Sequence, residues 1–203
     1  MTKYTYLALG DSYTIGESVA ESERWPNQLI EMVNTATGAQ FEPVEIIATT
    51  GWTTDELKSA ITEAAPKEAG YDFVSLLIGV NNQYRGYPEA QFEKEFEELL
   101  KSAISFGKNK NRVFVVSIPN YGVTPFAADK DTEKIAHEIL AYNAICEKLA
   151  RKYDVPFFDI FAISKSAISD ETLIADDQLH PSGKMYTEWA ELIAPWMTAN
   201  IRD

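Results

Sequence analysis

Apolar and polar positions follow two alternating rhythms along this chain. Short, nearly unbroken apolar runs end in a glycine or a polar pair, at residues 4–10, 41–48, 72–78, 113–118 and 155–160. Such runs predict strands buried on both faces. Between them, apolar residues recur every three or four positions, as on one face of a helix. Leu29, Ile30, Met32 and Val33 follow Pro26 and stop at Gly38; Leu57, Ala60, Ile61 and Ala64 follow a cap at Thr53 or Thr54. Phe92, Phe96, Leu99, Ala103 and Ile104 span 89–106, and Ile135, Ile139, Tyr142, Cys146 and Leu149 span 131–153. A last helix is expected over 181–197, with Trp189, Leu192, Ile193 and Trp196 facing inward. The spacing leaves 14–23 as a polar loop and 83–88 as a mobile segment. Five alternations of strand and helix predict an α/β fold with a five-stranded parallel sheet and helices on both faces. No repeat or linker interrupts 1–203, so one domain is expected.

Composition narrows the function classes. Thirty-one acidic against eighteen basic residues give a formal charge of −13, which repels a phosphate backbone and an anionic membrane surface. Neither a nucleic-acid partner nor stable membrane insertion is expected, since no stretch approaches the ~20 apolar residues of a span. The lone Cys146 forms no internal disulfide and no cysteine zinc cluster. Met1-Thr2-Lys3 leads straight into the first apolar run. The chain therefore reads as cytoplasmic, or as secreted or periplasmic if a leader has been removed.

Candidate chemistry collects where strands end, the usual place for ligands in open α/β sheets. Ser12 follows Gly10-Asp11 directly at the end of the first strand. A serine hydroxyl needs an adjacent base to become a nucleophile. Of the two histidines, His137 sits among Lys134 and Glu138 off the apolar stripe of its helix, as a solvated residue would. His180 precedes Pro181, which suits the first position of a helix, and so stands at a junction. Asp177, three residues earlier, is in reach of its Nδ1 and would orient it, with helix capping as its plainer role; Asp176 is the rival orienter. Donors for a developing oxyanion are the backbone N–H groups of Ser12 and Gly51 and the Asn81 side-chain amide.

Four blocks carry a resemblance to a known family: Gly10-Asp11-Ser12-Tyr13, Gly51 within Thr50-Gly51-Trp52-Thr53-Thr54, Gly79-Val80-Asn81-Asn82, and Asp177-Gln178-Leu179-His180-Pro181. In order and spacing the chain resembles the SGNH hydrolases, also called GDSL esterases and lipases. The resemblance implies a flavodoxin-like three-layer α/β/α sandwich and carboxylic ester hydrolysis without cofactor or metal. It also implies a Ser12–His180–Asp177 triad acting through an acyl-enzyme, with Gly51 and Asn81 completing the oxyanion hole. Two positions depart from the family pattern. Tyr13 replaces a Leu, altering packing or the pocket wall, and Asn82 replaces an Asp, putting the hydrogen bonding of the Asn81 turn in question.

Trp52, Tyr84, Tyr87, Tyr121 and Phe126 lie in loops after strands two to four and are candidates for a pocket that takes a small-molecule ester; Trp52, Tyr84 and Tyr121 lead. Two other readings compete. A carbohydrate O-acetylesterase needs the same triad with a shallower groove, and a non-catalytic module would use the pocket for a small ligand. A dinucleotide or mononucleotide site is disfavoured because neither G-x-G-x-x-G nor G-x-x-x-x-G-K occurs. Acyl length, leaving group and oligomeric state are not encoded in any pattern above.

Overall fold

The computed structural model describes residues 3–201; Met1 and Thr2, used in the leader reading, lie outside them. Five strands, β1 (Tyr6–Gly10), β2 (Glu45–Ala48), β3 (Phe73–Leu77), β4 (Val113–Val116) and β5 (Phe157–Phe158), form one parallel sheet in the order β2-β1-β3-β4-β5. Every residue of β1, β3 and β4 is buried, as their unbroken apolar runs require. Helices α2 (Trp25–Thr37) and α8 (Gly183–Ile201) pack against each other on one face. Helices α3 (Thr54–Ala64), α5 (Glu89–Phe106) and α6 (Thr132–Tyr153) cover the other. Phe114 of β4 lies at the centre of the core, its ring against those of Tyr6, Trp25, Phe158 and Trp196. Among the described residues no helix is long and apolar enough to cross a membrane.

The strand order reverses direction beside β1, which has β2 on one side and β3 on the other. That is the switch point of a doubly wound sheet, where the loops leaving adjacent strands part and open a crevice. Two short helices rise there: α1 (Ser12–Ile15) from β1 and α4 (Val80–Tyr84) from β3. A further turn, α7 (Phe161–Ser164), follows β5.

Several expected boundaries shift for identifiable reasons. β2 begins at Glu45 rather than at 41, because Pro43 lacks the N–H a ladder needs; Phe41 makes only an isolated bridge to Tyr4. β5 shrinks to two residues. The loop expected over 14–23 is partly helical, with α1 reaching Ile15 and a 3-10 turn at Glu21–Glu23. The 83–88 segment, expected to be mobile, is tied down: Gln83 is buried and donates to Glu138, and the Tyr87 carbonyl accepts from the Tyr142 hydroxyl at 2.6 Å. α8 starts at Gly183, since Pro181 pairs with Ile174 in an antiparallel bridge. Ala64 and Leu192 face solvent instead of the core, Leu192 being 41% exposed.

Candidate active site

The β1–α1 turn is built around Asp11. Its Oδ1 accepts the Tyr13 N–H at 3.0 Å and caps α1, while Gly16 in the left-handed region closes the other end. The Trp25 indole N–H, fully buried, donates to the Tyr13 carbonyl at 3.1 Å and anchors this single turn to α2. Ser12, the first residue of α1, is thereby held at the sheet's carboxyl edge. Asp11 itself is wholly buried, and Oδ2 has no protein partner among the described residues. Burial pushes its carboxyl up to about 7, against the backbone N–H groups of Tyr13 and Gly79, which favour the ionised form.

The β3–α4 turn presents two asparagines with different tasks. Asn81 Nδ2 donates to the Trp52 carbonyl at 3.0 Å, which fixes its amide and leaves a second N–H available. Asn82 is buried and faces α3: its Oδ1 accepts the Thr54 N–H at 3.0 Å and its Nδ2 donates to Thr54 Oγ1 at 2.6 Å. The Thr54 hydroxyl in turn donates a hydrogen bond to the Glu95 carboxylate. The hydrogen bonding put in question by the family departure is therefore complete, and it requires an amide that both accepts and donates. Gly51 has φ +90°, a conformation that demands glycine even though a Cβ would meet nothing closer than Arg85 Nη2 at 3.9 Å. Its carbonyl accepts from Arg85 at 2.6 Å.

His180 lies in the segment entering α8. Asp177 folds back on it: Oδ1 accepts the backbone N–H groups of Leu179 at 3.0 Å and His180 at 2.9 Å, and Oδ2 meets His180 Nδ1 at 2.6 Å. The Ser18 hydroxyl adds a bond to the same Oδ2 at 2.7 Å. Partial burial opposes ionisation of Asp177, but the His180 backbone and ring, the Leu179 N–H and Ser18 outweigh it and hold the carboxyl down at about 2. Asp177 is thus an anion across the physiological range. Asp176, the rival orienter, is exposed and makes no bond to His180, and His137 is on the surface of α6.

Ser12, Asn81 and His180 line one cavity of about 140 Å³, together with Tyr13, Val80, Tyr84, Tyr121, Phe126 and Leu179. The Ser12 hydroxyl and the imidazole share this space without a hydrogen bond between them. Tyr84, Tyr121 and Phe126 form an aromatic rim with centroids 6.2–6.3 Å apart. Tyr13 forms the floor and meets the His180 ring edge-on at 5.7 Å. Two expectations fail here. Trp52 is outside the wall, half-buried against the core and engaged through its carbonyl, and Tyr87 is likewise outside. Gly51 does not line the cavity either, and Asp177 stands behind His180. Sequence reasoning missed Val80 and Leu179 as wall residues, although each is the apolar member of a block already singled out.

Comparison with known proteins points one way. The chain is 24% identical over 199 residues to thioesterase 1/protease 1/lysophospholipase L1 of Escherichia coli strain K12, covering 98% of this chain and 83% of that protein. The fold is similar to a lipase from a goat rumen metagenome, with a TM-score of 0.73 at 18% identity, covering 95% of this chain and 97% of the other. It is similar also to an acetylxylan esterase from Geobacillus stearothermophilus, with a TM-score of 0.67 at 16% identity, covering 98% and 94%. Residues 8–187, which include all four blocks, match the GDSL-like lipase/acylhydrolase family, and the chain is a member of that family of ester and acyl hydrolases.

Proposed function

We propose that the chain hydrolyses carboxylic esters with a short acyl group through a Ser12–His180–Asp177 triad. The observation that carries this reading is the shared cavity, in which a hydroxyl, an imidazole already paired with a carboxylate, and a spare amide N–H face the same space. Ser12 Oγ attacks the carbonyl carbon as its proton passes to His180 Nε2. Asp177 stays ionised and stabilises the imidazolium. Negative charge on the carbonyl oxygen is met by the Ser12 N–H and Asn81 Nδ2, which face the cavity; the Gly51 N–H, outside the wall of the free cavity, joins them when bound substrate reaches it. Collapse expels the alcohol, which takes the proton from His180 and leaves an acyl-Ser12 ester. Water, deprotonated by His180, then releases the acid. Contact between Ser12 and His180 tightens when substrate fills the cavity, as is common where a free site is loosely aligned.

The size of the cavity supports a short acyl group. An apolar cavity of about 150 Å³ accommodates benzene, so about 140 Å³ suits an acyl group of similar bulk and is larger than acetyl needs. The E. coli relative is named for thioester and lysophospholipid chemistry and one structural neighbour for acetylxylan; these define the competing substrates. A nitrophenyl ester series from acetate to laurate, run beside acetylated xylan and a lysophospholipid, tests the choice. Turnover should peak at butyrate to hexanoate, and Ser12→Ala should lose at least about 10³-fold. A peak at acetylated xylan, or a Ser12→Ala variant that keeps its rate, contradicts the reading.

A further inference from the structure

The loop that follows α1 holds two other parts of the site through adjacent side chains. The Glu17 carboxylate accepts from the Thr50 hydroxyl, next to Gly51, and Ser18 donates to Asp177 Oδ2, 159 residues away. This loop begins on the helix that carries Ser12: the Gly16 and Glu17 N–H groups both bond the Ser12 carbonyl, at 3.0 and 3.1 Å. Ser18 sits at φ +64°, a left-handed conformation that is strained for a serine and persists when its surroundings fix it. Its hydroxyl lands on the same oxygen that meets His180 Nδ1.

We propose that Ser18 is a positioning residue, which fixes the outer oxygen of Asp177 and draws part of its charge away from His180. This rests on the triad reading above and extends it: the nucleophile's own loop sets the pH at which the imidazole becomes a free base. A donor on Oδ2 shares the carboxylate's charge, so less of it acts on the protonated ring. Without that donor Asp177 stays in place, because Leu179 and His180 hold Oδ1. Its attraction for the imidazolium then increases, and His180 keeps its proton to higher pH.

Other ionisable groups face this pair. Tyr13 packs on the imidazole from α1, Asp11 acts on Tyr13, and Tyr186 of α8 is buried within the field of Asp11 and Asp177. Tyr121 lines the same cavity as His180. Glu23 and Glu171 share with Ser18 and Asp176 the open groove beyond, and Glu17 lies nearby. None of these is altered by a change at position 18, so a shift seen there belongs to the lost hydroxyl.

The two histidines make the test direct, because exposed His137 is an internal reference for His180. Ser18→Gly removes the hydroxyl and relieves the left-handed backbone, so the variant folds at least as well as the parent. Ser18→Asn tolerates the same φ and returns a donor. NMR titration of the imidazole signals of the whole chain should show the His180 midpoint of Ser18→Gly moved up by about half a pH unit. His137 should be unchanged, and Ser18→Asn should fall between parent and glycine variant. The acid limb of kcat/KM for a nitrophenyl ester should move with the His180 signal while KM is retained. A midpoint unmoved, lowered, or shifted together with His137 overturns the proposal. If the signal moves and the kinetic limb does not follow, Ser18 still acts on the pair, but His180 is not the base and the triad reading fails.

Discussion

Asp11 and Asp177 are two carboxyls at the same site, and their surroundings push them in opposite directions. Asp177 is part-exposed and collects donors, so it stays ionised and contributes stability that is lost only as pH falls below the ordinary carboxyl range towards 2. Asp11 is fully buried, and desolvation raises it to about 7. Between about pH 4 and pH 7 the unfolded chain has released this proton while the folded chain keeps it. The group's contribution to stability is therefore complete below pH 4, declines as pH rises through that window and levels off above 7. Asp11→Asn, neutral throughout, should gain on the wild type in melting temperature as pH rises from 4 to 7. A constant difference between the two would show that Asp11 titrates normally. At this scale the sequence was informative where chemistry is local. Ser12 and His180 stand out because a strand end and a shortage of histidines identify them. Ser18 does not, since its role depends on a residue 159 positions away.

Secondary-structure elements meet through side chains that periodicity does not reveal. Asn82 joins α4 to α3, accepting from the Thr54 backbone and donating to the Thr54 hydroxyl, which in turn donates to Glu95 on α5. An aspartate there could accept from the Thr54 backbone but could not donate to its hydroxyl. That hydroxyl would have to choose between two carboxylates, and one would lose its partner. Asn82→Asp should cost about 1–3 kcal/mol in denaturant unfolding at pH 7, with the loss shrinking as pH falls into the carboxyl range. A variant equal to the parent at pH 7 would show that Glu95 is not engaged. The departure from the family pattern thus has a partner in this chain, the Glu95 carboxylate on α5. Helix faces were read well where burial is deep, as at Phe92, Phe96 and Leu99. They were misread at Ala64 and Leu192, where a small or peripheral residue keeps the helical period without reaching the core.

For the whole molecule, the order β2-β1-β3-β4-β5 does the positioning. It sets the ends of β1 and β3 side by side, so that α1 and α4 bring Ser12 and Asn81 to one crevice, and the segment before α8 closes over them with His180. The alternation of strand and helix made a parallel sheet legible. The unbroken apolar runs marked β1, β3 and β4 as buried on both faces. What the chain did not disclose was the wall of the cavity, because which loop residues reach it depends on how the loops after β2, β3 and β4 pack on one another. Trp52 turns inward to the core while Phe126, from the loop after β4, reaches the rim beside Tyr84. Convergence of distant segments on one reactive hydroxyl is the central claim, and a fluorophosphonate probe reads it in a single step. After labelling the intact chain, peptide mapping by mass spectrometry should locate one adduct, on Ser12, and His180→Ala should nearly abolish its formation. An adduct on any other serine, or labelling of Ser12 at full rate without His180, would contradict the account.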